Sequence, residues 1–258
     1  MTTPPVLAAP ESWQTLAFLS DVHLHPSDTA TCQAWQSALQ SGDWDALFIL
    51  GDLFEVWVGD DVLDEPDQGA FWQTCARSLR AASNRAPVFF LPGNRDFLVG
   101  ARLLAAAGMT LLADPTVLQW GEQRWVLSHG DALCLSDAPY QAFRAEVRGA
   151  NWQTQFLAQT LDVRLAMARR MRDASEQRKA SALAWSDVDA LAANQLLEDC
   201  HASMLMHGHT HMPATHALGE GRLRHVLTDW DATGNPPRGD VLRMRKGEPI
   251  VLPPLERK

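Results

Sequence analysis

Five short apolar runs recur along the chain, Leu16–Leu19, Ala46–Leu50, Val88–Leu91, Trp125–Leu127 and Met204–Met206, and each gives way at once to a polar loop. Runs this short, bounded by turn residues, read as buried strands rather than helices. Between them the spacing predicts helices over Thr31–Ser41, Gly69–Ser83, Ala101–Ala107 and Val188–Cys200. Strand alternating with helix predicts an α/β fold. Leu223–Thr228 and Asp240–Leu252 read as further strands, antiparallel or mixed, with turns at Asn235-Pro236-Pro237 and Lys246-Gly247. At 258 residues the chain suits one domain, 1–258, carrying an insertion.

The insertion is where the alternation fails. From about Asp137 to Trp185 the pattern is helical only, and Leu157, Leu161, Leu165 and Ala168 fall on one helical stripe. Arg144, Arg148, Arg164, Arg169, Arg170, Arg172, Arg178 and Lys179 crowd this stretch, although the whole chain carries a net charge of −9. Such a segment is either a solvated helix face or a helical cap turning cations toward an anionic ligand or a membrane surface. The acidic balance of the whole argues against a nucleic-acid partner, because phosphate contacts need a basic surface. Cys32, Cys75, Cys134 and Cys200 are scattered and read as reduced thiols. Met1–Pro10 lacks the basic and apolar regions of a signal peptide, and no apolar run approaches the roughly 18 residues that span a bilayer. Membrane association is therefore expected to be peripheral.

The strand ends carry the chemistry. Ser20-Asp21-Val22-His23, Gly51-Asp52, Gly93-Asn94-Arg95-Asp96, His129-Gly130-Asp131 and Gly208-His209-Thr210-His211 each follow one apolar run. In α/β folds, ligands bind beyond the carboxyl ends of strands. Asp, His and the Asn carbonyl are metal donors, and the glycines allow sharp turns beside them. Seven donors, Asp21, His23, Asp52, Asn94, His129, His209 and His211, suit two ions, the clamp used for in-line attack at phosphorus. Nitrogen and oxygen donors without thiolate favour Mn2+, Fe or Zn2+. Asp96 reads as a residue that orients His129 rather than as a ligand. His25, His201, His207, His216 and His225 read as surface or packing residues.

The order D-x-H, G-D, G-N-x-D, H-G-D, G-H-x-H resembles the calcineurin-like metallophosphoesterase superfamily. Its finer wording resembles the UDP-2,3-diacylglucosamine hydrolases: Gly51-Asp52-Leu53-Phe54-Glu55-Val56-Trp57, Gly93-Asn94-Arg95-Asp96-Phe97-Leu98, His129-Gly130-Asp131-Ala132-Leu133-Cys134 and His207-Gly208-His209-Thr210-His211. The resemblance, running from about Thr15 to Met244, implies an α/β sandwich of two mixed sheets flanked by helices, with a helical cap at about 137–185. It implies two divalent metal ions, Mn2+ foremost. Asp21, His23 and His211 would hold one ion, Asn94, His129 and His209 the other, and Asp52 would bridge them. Water activated there would attack the α-phosphorus of UDP-2,3-diacylglucosamine, leaving UMP and lipid X. Such an enzyme of lipid A biosynthesis would sit on the cytoplasmic face of the inner membrane, and no protein partner is implied.

The same resemblance makes Asp52, Asn94 and Arg95 catalytic, and gives Asn94, Arg95, Asp137, Tyr140, Ser175, Lys179, His209 and Trp57 to the substrate. Arg95 stands where many phosphatases of the superfamily carry His. A departing phosphate, with a second pKa near about 6, needs charge stabilisation more than a proton, and Arg supplies it. Met212 departs from the Arg that often follows G-H-T-H. A phosphomonoesterase or phosphodiesterase on the same fold is the alternative, and a metal-free binding scaffold is a further one.

Overall fold

The structure is a computed structural model that describes residues 3–67, 69–181 and 187–248, with the backbone alone over 172–181. Strand β2 (Thr15–Leu19) shows how the layers arise. Leu16 and Phe18 point to one face and Ala17 and Leu19 to the other, and all four are fully buried. A strand buried on both faces reads as a continuous apolar run. The same holds for β3 (Ala46–Leu50) and β4 (Val88–Leu91). These three run parallel, with β5 (Met109–Leu111) parallel beside β4 and β11 (Leu242–Arg245) antiparallel beside β2.

A second sheet has the order β1-β6-β7-β8-β10-β9. Its strands are Val6–Ala8, Thr116–Trp120, Gln123–Leu127, Met204–His207, Arg222–Val226 and Ala214–Gly219 in that order. Parallel and antiparallel pairs mix in it. Between the sheets lies one core: Leu16, Phe18, Phe48, Leu50, Phe89 and Leu91 meet Leu118, Trp125, Leu127, Met204 and Met206. Phe18, Phe48 and Phe89 stack in a row, with centroids 5.1 and 5.0 Å apart. Each such side chain contributes about 1.5–3 kcal/mol by burial.

The outer faces carry helices. Leu19, Leu47, Ile49 and Phe90 pack against Trp35 and Leu39 of α1 (Thr29–Gln40), Trp72, Cys75 and Leu79 of α2 (Gly69–Ser83), and Leu103 of α3 (Ala101–Ala107). Asp28 caps α1 by accepting from the Thr31 N–H at 3.0 Å. On the other sheet Val117, Val126 and Leu205 pack against Ala193 and Leu197 of α7 (Ala190–Asp199). The expected two-sheet α/β sandwich is present. The four cysteines are free and buried.

The insertion is helical, as the pattern predicts: α4 (Ala138–Val147), α5 (Ala150–Leu157) and α6 (Leu161–Ser181). The single stripe is a correction. The helix breaks between α5 and α6, so Leu157 faces outward at 44% exposure while Leu161, Leu165 and Ala168 pack against the cluster that holds Trp35, Trp72 and Leu103. The C-terminal strand is also shorter than expected, Leu242–Arg245, and positions 249–252 of the expected strand lie outside the described residues. The sequence reading passes over β1, β5, β6 and β9, of which β1, β5 and β9 stand at sheet edges.

Candidate metal centre

Strands β2, β3 and β4 of one sheet and β7 and β8 of the other bring their carboxyl-end loops to one place. Backbone bonds extend the β2–β3 pairing beyond the sheet: Asp21 N–H donates to Gly51 O at 3.1 Å and His23 N–H to Asp52 O at 3.0 Å. Across the sheets, the His209 N–H donates to the Asp21 carboxylate at 3.0 Å. Two glycines permit the approach. A Cβ on Gly93 would stand 2.1 Å from Asp52 Oδ1, and one on Gly208 would stand 2.0 Å from Asp21 Oδ2.

The backbone is strained where the donors sit. Seven non-glycine residues among those described have positive φ, and five are Asp21 (52°), His23 (54°), Asp52 (52°), His209 (66°) and His211 (53°). Left-handed backbone costs a non-glycine residue about 1 kcal/mol or more, and such strain gathers at functional sites.

The donors converge in two groups, Asp21–His23–His211 and Asp21–Asp52–His129, and within each the ligand atoms lie within 4.8 Å of one another. Asp21 is common to both. His211 Nε2 is 3.2 Å from His23 Nε2 and 3.4 Å from Asp21 Oδ1. His129 Nε2 is 3.5 Å from Asp52 Oδ1. Asn94 Oδ1 lies 2.9 Å from His129 Nε2 and 2.8 Å from His209 Nδ1, so it joins these two rings. His129 Nδ1–H donates to Leu50 O at 2.9 Å, which leaves Nε2 facing the site. All seven expected donors therefore stand together. Their chemistry, imidazole nitrogen with carboxylate and amide oxygen, fits a divalent ion of the Mn2+, Fe or Zn2+ type.

The electrostatics agree with a site built for positive charge. Burial alone would lower His129, but the charges of Asp52, Asp21 and Asp131 outweigh it and push the imidazole up to about 9. Burial raises Asp52 against the pull of His129. Burial also opposes ionisation of Asp21, yet its bond to His211 and the nearby His129, His211 and His23 hold it well below the usual carboxylate range.

Asp96 corrects the reading that it orients His129. Its carboxylate accepts from the backbone N–H groups of Gly93 (2.8 Å), Leu53 (2.7 Å) and Asp52 (3.3 Å), so it pins the two loops that carry Asp52 and Asn94. Full burial and the charge of Asp52 push it up to about 7.

Arg95 lies at the site. Its N–H donates to Asp52 Oδ1 at 2.9 Å, its Nε is 3.5 Å from Asp52 Oδ2, and its Nη1 donates to Glu55 Oε1 at 2.5 Å. Tyr140 stacks on His209 at 6.0 Å and donates its hydroxyl to Asp131 Oδ2 at 2.6 Å. Asp137 is the N-cap of α4, accepting from the Tyr140 N–H at 3.0 Å. Trp57 corrects the expectation of a substrate contact. Its ring is 2% exposed, packed on Phe54 and Trp72, and only its backbone N–H reaches the site, donating to Arg95 O at 2.9 Å. The side chains of Ser175 and Lys179 lie outside the described residues. His207 and His225 are packing residues, both buried.

Three arginines of the insertion turn inward rather than presenting free cations. Arg144 Nε donates to Asp131 at 2.8 Å, Arg148 Nη2 donates to Gly93 O at 2.9 Å, and Arg164, 2% exposed, pairs with Asp61 and donates to Val58 O. They bolt the helices to the loops of the site. Arg169 and Arg170 remain exposed. Two carboxylates escaped the sequence reading. Glu55 Oε2 is 3.4 Å from His23 Nδ1, and Asp229 Oδ2 is 3.7 Å from His211 Nδ1. Glu55 falls within the run Gly51–Trp57, and that position is its one mark in the sequence.

The family model of calcineurin-like phosphoesterases matches residues 15–213. A UDP-2,3-diacylglucosamine hydrolase of Bordetella pertussis is 42% identical over 231 residues, covering 86% of this chain and 88% of that one. One from Chromobacterium violaceum is 42% identical over 240 residues, covering 92% and 97%. One from Xanthomonas campestris is 41% identical over 246 residues, covering 88% and 96%.

Proposed function

This chain belongs to the calcineurin-like phosphoesterase family, and on that premise we propose that it hydrolyses the pyrophosphate bond of UDP-2,3-diacylglucosamine, giving UMP and lipid X in lipid A biosynthesis. The relatives that carry that activity in their names span nearly the whole chain. The observation that carries the reading is the convergence of seven donors from five strand ends, two groups of them sharing Asp21.

Asp21, His23 and His211 would hold one divalent ion and Asn94, His129 and His209 another, with Asp52 between them. Mn2+ suits this mixed donor set. Two bound ions supply Lewis acidity, which lowers the pKa of a water and neutralises phosphoryl oxygens. The protein's own part is placement. Asp52, held by the Arg95 N–H, stands with Asp21 and His129 in one ligand group, and Asp21 links that group to His23 and His211. Arg95 offers a planar cation, 22% exposed, to the phosphate that leaves when the α-phosphorus is attacked. Asn94, Asp137, Tyr140 and His209 line the approach, and Ser175 and Lys179 of α6 serve the sugar and phosphates.

The insertion acts as a cap within the one domain. It carries Leu157 and Val163, 44% and 43% exposed, at the α5–α6 junction. Exposed apolar groups there suit an amphiphilic substrate taken at a lipid surface, the cytoplasmic face of the inner membrane. No helix among the described residues is long and apolar enough to cross a membrane.

The test is a substrate comparison with metal-stripped protein, with and without Mn2+. Metal-dependent release of UMP and lipid X is expected, with far weaker hydrolysis of an aryl phosphate. Hydrolysis of the aryl phosphate alone would favour a different phosphoesterase on this fold.

A further inference from the structure

Glu55 is 9% exposed, and its two carboxylate oxygens face two functional side chains. Oε1 accepts from Arg95 Nη1 at 2.5 Å, and Oε2 lies 3.4 Å from His23 Nδ1. That nitrogen is buried and has no hydrogen-bond partner among the described residues. The main chain sets the position of Glu55. The ladder between the first two site loops continues with Leu24 N–H donating to Leu53 O at 2.9 Å and Glu55 N–H donating to Leu24 O at 3.1 Å. This register fixes the Glu55 backbone next to Leu24, from where its side chain reaches His23.

A carboxylate facing Nδ1 draws the imidazole proton to that nitrogen and leaves Nε2 as the free donor. Nε2 is the atom of His23 that meets His211 Nε2. The other oxygen holds the guanidinium so that its Nε stays 3.5 Å from Asp52 Oδ2. We propose that Glu55 is a positioning residue that couples the orientation of His23 to the placement of Arg95, so that one side chain sets both a metal donor and the cation for the leaving group. This rests on the metal-dependent reading given above.

The test combines Mn2+ titration by calorimetry, kcat and KM on UDP-2,3-diacylglucosamine, and thermal denaturation. The wild type is compared with Glu55→Ala, Glu55→Gln and Arg95→Ala. Glu55→Ala is expected to weaken one of two Mn2+ equivalents about 10–100-fold and to lower kcat with little change in KM. Arg95→Ala is expected to lower kcat with both Mn2+ affinities intact. Glu55→Gln keeps an acceptor for Arg95, so it should regain part of kcat but not the lost Mn2+ affinity. It also carries the test should Glu55→Ala not fold. The double variant should lose less than the sum of the two single losses, because the residues act together. A Glu55→Ala or Glu55→Gln chain that binds both equivalents as the wild type does would overturn the proposal. Equal weakening of both equivalents together with a lowered melting temperature would also overturn it. A wild-type chain that binds no Mn2+ would instead bring down the metal reading beneath it.

Discussion

The Nε2 atoms of His23 and His211 lie 3.2 Å apart although the residues are 188 positions apart in sequence. Two imidazole nitrogens at that distance repel unless a cation or a proton lies between them. Burial and the Arg95 charge hold His23 well below its ordinary value, which favours the neutral ring and a free lone pair. The contact thus joins the loop after β2 to the loop after β8 around a point that needs positive charge.

Asp52 is 1% exposed and takes part in the Asp21–Asp52–His129 group. Replacing it with Ala should remove at least one of the two ions and cut turnover by more than about a hundredfold, beyond the loss typical of an outer-shell partner. Metal content by mass spectrometry and turnover of the nucleotide lipid check this together. Normal turnover would sink the two-ion account.

Arg95→Ala should lower turnover about 10²–10³-fold, the scale of losing one preorganised stabiliser of developing charge. Arg95→Lys should recover little, since a point charge cannot span Glu55 and a phosphate as a planar fork does. Stopped assays at saturating Mn2+ measure it.

Arg164 ties α6 to the loop around Val58, with Nε donating to Gln159 O at 3.1 Å. Its partner Asp61 is half exposed, so the ion pair itself is worth little. The buried Val58 carbonyl left without this donor matters more. Arg164→Ala should cost about 2–3 kcal/mol in denaturant unfolding and raise KM for the lipid. Asp61→Asn should cost less than about 1 kcal/mol.

His225 is none of the donors; it is buried, with Nδ1 2.9 Å from Thr215 Oγ1. Burial, and secondarily the charge of His216, lower it to about 4. The unfolded chain would take up a proton below about 6.5 that the folded chain refuses. Stability is then fully present above pH of about 6.5 and falls as pH drops toward about 4, by about 3 kcal/mol from this group. Between pH 7.5 and 5, chelator-treated wild type should lose about 2 kcal/mol more than His225→Gln. Parallel losses in the two proteins would contradict the assignment.

The layers of the fold were readable because β2, β3 and β4 are buried on both faces, which leaves unbroken apolar runs such as Ala46–Leu50. Edge strands leave no such mark. Ala214–Gly219 is only partly buried, and Met109–Leu111 buries one residue of three. The donors were readable because each lies in one of five short loops that follow an apolar run, two of them carrying a pair, Asp21 with His23 and His209 with His211. Their supports were not. Asp229, Arg148 and Glu55 each act on a residue brought near only by folding, and a lone carboxylate is unremarkable in an acidic chain. Trp57 was misjudged for a related reason: its nearness to Asp52 in sequence does not carry its ring, which turns into the core against Trp72.

The most direct measurement is isotopic. Metal-stripped protein is reloaded with Mn2+ and given UDP-2,3-diacylglucosamine in 18O-water, and both products are weighed by mass spectrometry. The account predicts turnover only with added metal, with the label in UMP, since water attacks the α-phosphorus. Label in lipid X, or equal turnover without metal, would contradict it.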